Sequence, residues 1–410
     1  MTMSSALTMT GIPPAPARRR AVLTLLTACV FVVGTAEWVM VGLLPELSTD
    51  LHRPLPTVGV LVTVYALVVT VAGPLVTLGM LGIARHRTLL ILLGVFVAGN
   101  AAAALATGFG VLAAARMLTA LAHSTVFATA LVIAVTTVPA GHRGRAIAMV
   151  TAGWNLATVL GAPLGTWVGG HYGWRTTLAG IVILGAALLV ATSVLVRPTA
   201  PQPAGRPGGE VREILKPKVA AVLAIIVVAQ AGLFTTYTYI APLLREVSGF
   251  TASAVTMLLA LFGLGSVVGN ILGGRLADRA PRAALCALLA ALAAVLAAFT
   301  LTSQSRWAAG ATVLILGVIA AALIPLLQDR ALASAPEAPT LVTAISASAF
   351  NLGVAAGSTL GGQAVTAGSS LGDLPWIGAL VTLAAVGLAA TTAARRRRGQ
   401  PRTPTTCSVQ

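Results

Sequence analysis

Twelve long apolar runs constrain what this chain can fold into more than any other feature of its sequence. A bilayer core of about 30 Å needs roughly 20 apolar residues in a helix, and lipid offers no partner to an unpaired backbone group. Only 9% of the 410 residues are charged, too few for the surface of a soluble protein of this size. The sequence therefore predicts an all-α membrane protein whose twelve transmembrane helices lie at residues 21–44, 56–79, 88–107, 110–138, 146–169, 176–196, 219–243, 252–275, 283–302, 308–328, 339–366 and 375–394.

The positions of the basic residues predict which helix ends face the cytoplasm. Of the 26 Lys and Arg residues, 21 fall in the terminal segments and in alternate loops, four fall in the other loops, and Arg116 alone lies within a span. Basic residues are retained on the cytoplasmic side of a membrane. We therefore expect a multi-pass protein of the cytoplasmic membrane with both termini cytoplasmic. Because the positive charge follows this topology, the net charge of +16 indicates no nucleic-acid partner.

A segment rich in Pro, Gly and charged residues divides the chain. Residues 197–218, RPTAPQPAGRPGGEVREILKPK, have the composition of a flexible linker. The expected organisation is a cytoplasmic tail at 1–20, a six-helix half at 21–196, the cytoplasmic linker at 197–218, a second six-helix half at 219–394 and a basic cytoplasmic tail at 395–410.

A repeated pattern relates the two halves. The residues Asn-Leu, Gly and Leu-Gly at 155–156, 161 and 164–165 recur 196 positions later, at 351–352, 357 and 360–361. GMLGIARHR at 79–87 aligns with GRLADRAPR at 274–282, at an offset of 195. Two parallel, pseudo-symmetric six-helix repeats explain both matches.

One acidic residue, Glu37, lies inside a predicted span. A carboxyl group there is costly and usually lines a polar cavity with a functional role. At about 1.5 Å per residue from the outer ends, Arg116 lies roughly 9 Å deep and Glu37 about 13 Å deep, so the two side chains could meet. Burial opposes ionisation of a carboxyl group and a nearby guanidinium favours it, so a change in their contact would switch proton binding. The alternative is a purely structural role for Glu37 and an interhelical anchor for Arg116.

Further polar and aromatic residues within the spans are candidates for the same machinery. His123, two turns beyond Arg116, is a candidate proton relay or substrate ligand, with an interhelical hydrogen bond as the alternative. Other residues could line a substrate cavity or simply join helices: Trp38, Trp154, Asn155, Gln230, Tyr237, Tyr239 and Asn351. Trp174, Trp307 and Trp376 fall at predicted outer span ends, where indoles lie at the lipid boundary.

Two segments carry small or charged residues suited to packing and gating. In the fifth span, GWNLATVLGAPLGTWVGG, the residues Gly153, Gly161 and Gly165 allow helices to approach closely, and Pro163 is expected to bend the backbone. After the eighth span, the segment GRLADRAPR carries one carboxylate, which can cap a neighbouring helix as part of a gate. The alternative is that this segment is a solvated loop of mixed charge. Its residues are Gly274, Asp278, Arg279 and Arg282.

No motif in the sequence indicates an enzyme or a bound cofactor. HExxH, GxxxxGK[ST] and nucleophile-elbow patterns do not occur, and Cys29, Cys286 and Cys407 lack the paired spacing of a disulfide framework or zinc site. We therefore expect no catalytic residues, no metal and no cofactor, with a proton gradient as the driving force.

Five segments carry motifs that occur together in one transporter family: GTAEWVMVGLLPELSTDL, RMLTALAH, GWNLATVLGAPLGTWVGGHYGWR, TYTYIAPLLREVSGF and GRLADRAPR. Over nearly its whole length the chain resembles the major facilitator superfamily, specifically the twelve-span drug:proton antiporter family near the arabinose-efflux and chloramphenicol-exporter group. By this resemblance Arg116 occupies the proton-transfer position and residues 161–165 lie in the antiporter motif. Two departures are Ile83, where the repeat has Asp278, and Ala162, which separates Gly161 from Pro163.

The resemblance implies a proton-coupled antiporter, without enzymatic activity, that exports small organic molecules or drugs. Its expected partners are a small-molecule substrate, protons and the lipid bilayer, and we expect a monomer. Alternatives are a sugar or nucleoside permease of the same fold, working in efflux or uptake, and a membrane sensor that does not transport.

Overall fold

The computed structural model describes residues 16–80, 82–139, 142–197, 212, 215–279 and 281–398. Among these residues, twelve helical segments are long and apolar enough to cross a membrane, which confirms the predicted number. Two of the twelve are interrupted. We label the helices α1 (Pro16–Asp50), α2 (Leu55–Gly79), α3 (Arg85–Ala104), α4 (Phe109–Thr137), α5 (Arg143–Leu156), α6 (Ala162–Tyr172), α7 (Trp174–Leu195), α8 (Pro217–Tyr237), α9 (Ile240–Glu246), α10 (Ala252–Arg279), α11 (Pro281–Thr302), α12 (Arg306–Ser334), α13 (Pro339–Thr366) and α14 (Leu374–Arg398).

The predicted domain boundaries fall close to helix ends. The first half ends with α7 at Leu195 and the second begins with α8 at Pro217. Most of the predicted linker, and residues 1–15 and 399–410 of the predicted tails, lie outside the described residues. Because the number of crossings is even, α1 begins and α14 ends on the same side of the bundle. We call that side the terminal face and the opposite side the distal face.

Helix α1 extends beyond the predicted span 21–44 at both ends. Its 35 residues correspond to about 52 Å, well over the thickness of a bilayer core. At its start, the Arg18 guanidinium donates to the Leu195 carbonyl oxygen at 3.2 Å. At its end, Asp50 accepts a hydrogen bond from Arg175 at 2.7 Å. Polar contacts at the two ends, which hydropathy does not detect, accompany the extra turns.

A proline accompanies each interrupted span. Between α5 and α6, residues Ala157–Gly161 form a π-helical segment just before Pro163. Proline has no N–H and its ring clashes with the carbonyl four residues earlier, and a π turn accommodates this mismatch. In the second half, the break between α8 and α9 lies at Thr238 and Tyr239, three to four residues before Pro242, for the same reason. The expected bend at Pro163 is therefore a widened helical turn.

The most extensive contacts between the halves involve three sets of helices. Helix α2 packs against α13, the α5–α6 span packs against α10, and α1 packs against α9. Outward-facing side chains are apolar: Ile183 is 72% exposed and Trp307 is 93% exposed. An apolar exterior is the arrangement that lipid requires. The centre of the bundle, between α1, α2, α4 and the helices of the second half, is where polar side chains converge.

Candidate functional site

A cavity of about 20 Å³ lies between the two halves, close to the volume of one water molecule. It contains Glu37 and Arg116 together, as the sequence suggested, and also Trp38. The helices of the two halves therefore pack closely around Glu37 and Arg116 and leave little open space between them. The lining residues come from five helices and are Glu37, Trp38, Val41, Val62, Tyr65, Ala66, Arg116, Phe234 and Val354.

Glu37 and Arg116 line one cavity without forming an ion pair. Arg116 is only 1% exposed, and its Nη1 donates to the Ala36 carbonyl oxygen at 2.8 Å. Glu37 is half-buried, and its Oε2 has no hydrogen-bond partner among the described residues. The guanidinium is thus held by a backbone carbonyl one residue away from the carboxyl group. The arrangement leaves the Glu37 carboxyl group available to a proton or a ligand.

Tyr65, which sequence reasoning missed, connects the polar residues of the centre. The Arg116 guanidinium carbon lies 4.2 Å from the centroid of the Tyr65 ring. The Tyr65 hydroxyl lies 2.9 Å from His123 Nδ1. Its only sequence signal was a hydroxyl-bearing aromatic residue inside the apolar run VTVYALVV. The cross-helix contacts that give it significance are not visible in that run.

His123 is buried on α4 and occupies an interhelical position. Besides its hydrogen bond to Tyr65, its ring packs edge-on against Trp154, with centroids 5.1 Å apart. Trp154 is half-buried on α5. The alternative foreseen for His123, an interhelical hydrogen bond, is the contact seen in the structure. His123 does not line the central cavity.

Aromatic side chains from both halves meet beside Glu37. The Trp38 ring lies 5.9 Å from Phe234 and 5.8 Å from Tyr237. Phe234 and Tyr237, both on α8, lie 5.6 Å apart. Phe234, which the sequence analysis did not single out, forms part of the cavity wall contributed by the second half. Trp38 and Phe234 thus give the cavity an apolar, polarizable wall, whereas Tyr237 packs behind them and does not line the cavity.

Several predicted cavity residues lie elsewhere. Gln230 and Asn351 are buried, and the side-chain oxygen of each lacks a hydrogen-bond partner among the described residues. Neither lines the cavity, nor does half-buried Asn155. Tyr239 is fully buried, and its hydroxyl donates to the Ser358 carbonyl oxygen at 3.4 Å. In this structure it belongs to the contact between helices and not to the cavity, because the break after α8 turns it away.

The glycines of the fifth span face α1. A Cβ atom at Gly161 would overlap the Thr35 side chain, one at Gly153 would overlap the Thr27 carbonyl oxygen, and one at Gly165 would lie 2.5 Å from Val39. On its other side, the π-helical segment contacts Gly263 of α10, where a Cβ would lie 2.6 Å from the Thr158 carbonyl oxygen. The fifth span therefore packs against α1 of its own half and against α10 of the other half.

The predicted gate after the eighth span is not engaged in this structure. Asp278 and Arg279 are exposed at the terminal face, and no hydrogen bond to either side chain is formed by the residues that the structure describes. The side chain of Arg282 lies outside those residues. Gly274 faces open space, so it has no helix-packing role in this structure. Gly273 takes that role, because a Cβ on it would overlap the Ala322 carbonyl oxygen.

The distal face is closed by contacts between the halves. An ion pair of 2.7 Å joins Glu46 of α1 to Arg245 of α9. Deeper along α2 and α13, Ser358 Oγ donates to the Gly59 carbonyl oxygen at 3.2 Å. Thr70 Oγ1 likewise donates to the Ser348 carbonyl oxygen at 3.2 Å. The two halves are thus held together from the distal ends to below the central cavity.

Trp174 was expected at the lipid boundary, but it is buried. It is 2% exposed, and its indole N–H donates to Asp50 at 3.0 Å. The Arg175 guanidinium stacks over its ring at 4.2 Å. Trp174 therefore anchors the distal end of α1 to α7, whereas Trp307 and Trp376 are exposed as expected. The hydrogen bond from the indole to a carboxylate explains why this tryptophan is turned inward.

Comparison with known sequences gives one consistent result. Residues 26–357 match the sequence profile of the Major Facilitator Superfamily. The chain is 32% identical over 379 residues to the inner membrane transport protein YdhP of Escherichia coli strain K12, covering 91% of this chain and 95% of that protein. It is 34% identical over 367 residues to the uncharacterized MFS-type transporter YtbD of Bacillus subtilis, covering 88% and 92%. It is also 32% identical over 370 residues to a chloramphenicol resistance protein of Streptomyces lividans, covering 89% and 94%.

Solved structures share the fold at low sequence identity. A bacterial homologue of the human lysosomal transporter Spinster, in an inward-facing and unoccupied conformation, aligns with a TM-score of 0.67 and 16% identity over 93% of this chain and 96% of that one. A peptide transporter in complex with sulfate aligns with a TM-score of 0.71 and 14% identity over 92% and 94%.

Proposed function

Because the chain belongs to the major facilitator superfamily and is a multi-pass membrane transporter, we propose that it is a proton-coupled antiporter that exports small organic molecules across the cytoplasmic membrane. One observation carries the proposal: the Glu37 carboxyl group lies in a cavity between the halves, with one oxygen unpartnered. A carboxyl group at membrane depth that is free of an ion pair can gain and lose a proton as its surroundings change.

The proposed cycle alternates access to Glu37. The terminal face, where basic residues are concentrated, is cytoplasmic, and the distal face is external. With the distal side open, Glu37 takes a proton from outside. After the Glu46–Arg245 contact forms and the distal side closes, the proton leaves toward the cytoplasm and the substrate takes its place. The two halves move about the α2–α13 and α5–α6–α10 contacts.

Arg116 supports this cycle by electrostatics. Its guanidinium stays charged, so it does not carry the proton itself. It lies in the same cavity as Glu37 while it donates to the Ala36 carbonyl oxygen. Movement of the guanidinium toward Glu37 would favour the carboxylate, and movement away would favour the neutral acid.

The substrate class proposed here is the small, mostly apolar organic molecule. Trp38, Phe234 and Val354 line the cavity together with its single carboxyl group, so most of the cavity wall is apolar. The related chloramphenicol resistance protein supports a drug-like substrate. Efflux of chloramphenicol and of a panel of aromatic drugs from loaded cells, compared with cells lacking the protein, tests this. Movement of sugars or nucleosides alone would replace the proposal with the permease alternative.

The proton-coupling proposal is tested with Glu37→Gln in proteoliposomes. An imposed proton gradient with the acid solution on the distal face should drive export of the substrate by the wild type and not by the variant, because an amide cannot carry the proton. Glu337→Gln is the matched control, since Glu337 is an exposed carboxylate near the terminal face. Gradient-driven transport at the wild-type rate in Glu37→Gln would refute the proposal.

A further inference from the structure

Tyr65 touches both basic residues of the bundle centre and is almost completely enclosed. It is 2% exposed on α2. The Arg116 guanidinium rests on its ring face at 4.2 Å, and its hydroxyl is 2.9 Å from His123 Nδ1. One side chain from α2 therefore joins two turns of α4. The contact also places the Tyr65 ring in the wall of the cavity that contains Glu37.

The Arg116 guanidinium has two fixed contacts in this arrangement. One is the Ala36 carbonyl oxygen, which accepts its hydrogen bond, and the other is the electron-rich face of Tyr65. Its Nε has no hydrogen-bond partner among the described residues, although it is buried. Because this N–H is unsatisfied, the guanidinium would turn toward the nearby Glu37 carboxyl group if the Tyr65 ring beneath it were removed.

The hydrogen bond of the Tyr65 hydroxyl holds the Tyr65 ring in place beneath Arg116. The direction in which a tyrosine ring points is set by its first side-chain torsion, and a hydrogen bond at the far end of the ring restrains that torsion. The His123 ring in turn packs edge-on against the Trp154 ring of α5. The ring beneath Arg116 is thus held from α5 through His123. A phenylalanine at position 65 would keep the ring but lose this restraint.

We propose that Tyr65 is a positioning residue for proton coupling. Its ring, held in place by the hydrogen bond between its hydroxyl and His123, keeps the Arg116 guanidinium away from Glu37 and so leaves that carboxyl group unpaired. The inference rests on the proposed function of Glu37 as the proton carrier. It adds a residue outside the motifs that identify the family and defines what His123 does, which is to hold Tyr65. The titratable or charged side chains of the described residues that share the cavity with Glu37 are Tyr65 and Arg116, and His123 contacts Tyr65 from α4.

The protonation state of Glu37 can be followed directly. The infrared carbonyl stretch of the protonated Glu37 carboxyl group is measured as a function of pH in reconstituted full-length protein. For the wild type and for each variant, the Glu37 signal is isolated by subtracting the spectrum of the same protein carrying Glu37→Gln. For Tyr65→Leu we expect the midpoint to fall by about one pH unit, because the released guanidinium pairs with Glu37 and favours its ionised form. Tyr65→Phe, which keeps the ring, should show a smaller fall. Tyr172→Phe, at an exposed tyrosine, is the control.

The role of His123 gives a second and independent comparison. His123→Leu should reproduce the midpoint of Tyr65→Phe, because each removes the same hydrogen bond. His123→Gln offers an amide oxygen to the Tyr65 hydroxyl and should stay close to the wild type. Combining Tyr65→Phe with His123→Leu should shift the midpoint no further than either alone, since both act on one contact. Additive shifts would overturn the proposal.

The outcomes separate this inference from the proposed function. An unchanged midpoint in folded Tyr65→Leu, with normal proton-driven transport by the wild type, overturns the role of Tyr65 alone. A wild type that shows no proton-driven transport overturns the proposed function. If Tyr65→Leu is not recovered as a single species by size-exclusion chromatography, the Tyr65→Phe and His123→Leu comparison decides the question.

Discussion

Glu46 and Arg245, which lie 199 positions apart in the chain, form a 2.7 Å ion pair that joins the distal ends of the two halves. A second ion pair of the same length, Asp50–Arg175, lies nearby, but both of its members belong to the first half. Only the first pair must break if the halves separate at the distal face. The two pairs therefore make a matched comparison.

The first prediction concerns this distal contact. Arg245→Glu should shift the protein toward the distal-open form, because it replaces an attraction between the halves with repulsion. The pair is partly exposed, with side chains 36% and 17% accessible, so it contributes about 0.2–1 kcal/mol, or up to roughly a fivefold change in population. Labelling of single cysteines introduced near the distal ends of α1 and α9 measures the change.

Two further variants complete that test. Glu46→Arg combined with Arg245→Glu should restore the wild-type labelling, because the pair is re-formed with its charges exchanged. Arg175→Glu should leave the distal labelling unchanged, since its partner Asp50 belongs to the same half. Equal labelling of Arg245→Glu and Arg175→Glu would show that the Glu46–Arg245 pair does not hold the distal face closed.

The second prediction concerns Asp278 at the terminal face. Asp278 is exposed and makes no hydrogen bond to the described residues while the distal face is closed. If it caps a helix only in the opposite conformation, Asp278→Asn should increase the population of the distal-closed form and reduce labelling at the distal cysteines. Thermal stability of the distal-closed form should change little, because no contact is lost. Distal labelling at the wild-type level would exclude the capping role.

The third prediction separates packed from unpacked glycines. Gly161→Ala should lower the thermal stability of the detergent-solubilised protein, because the new methyl group would overlap Thr35. Overpacking of this kind costs about 1–3 kcal/mol. Gly274→Ala, at a glycine that faces open space, should be nearly neutral. Thr35→Ala should recover part of the loss at position 161, and failure of this rescue would place the clash elsewhere.

The fourth prediction concerns substrate selection. Phe234→Ala should alter which compounds are transported, since Phe234 lines the cavity and stacks near Trp38. Tyr239→Phe should leave the substrate profile intact, because its hydroxyl contacts the Ser358 backbone between helices and not the cavity. The relative efflux rates of several aromatic compounds measure both effects. A changed profile in Tyr239→Phe would return that residue to the cavity.

Contacts between helices explain why two residues face other directions than their sequence positions suggested. Tyr239 and Trp174 were interpreted from their depth and side-chain type, which suggested a cavity wall and a lipid-facing indole. Tyr239 follows a helix break, and Trp174 donates to a carboxylate. Each orientation depends on a partner in another helix. Depth along a span predicts how far a residue lies from the membrane surface, but not which way it faces.

Hydropathy determined the twelve helices and the isolation of Glu37, because lipid imposes on each span a length and composition that can be read locally. The composition of residues 197–218 and the internal repeat indicated the two halves. The tertiary structure decided which groups meet. Tyr65 and His123 are separated by 58 positions, and Arg116 finds the Ala36 carbonyl oxygen instead of the Glu37 carboxylate. Such pairings depend on how each helix is rotated and how closely its neighbours pack, which no single span specifies.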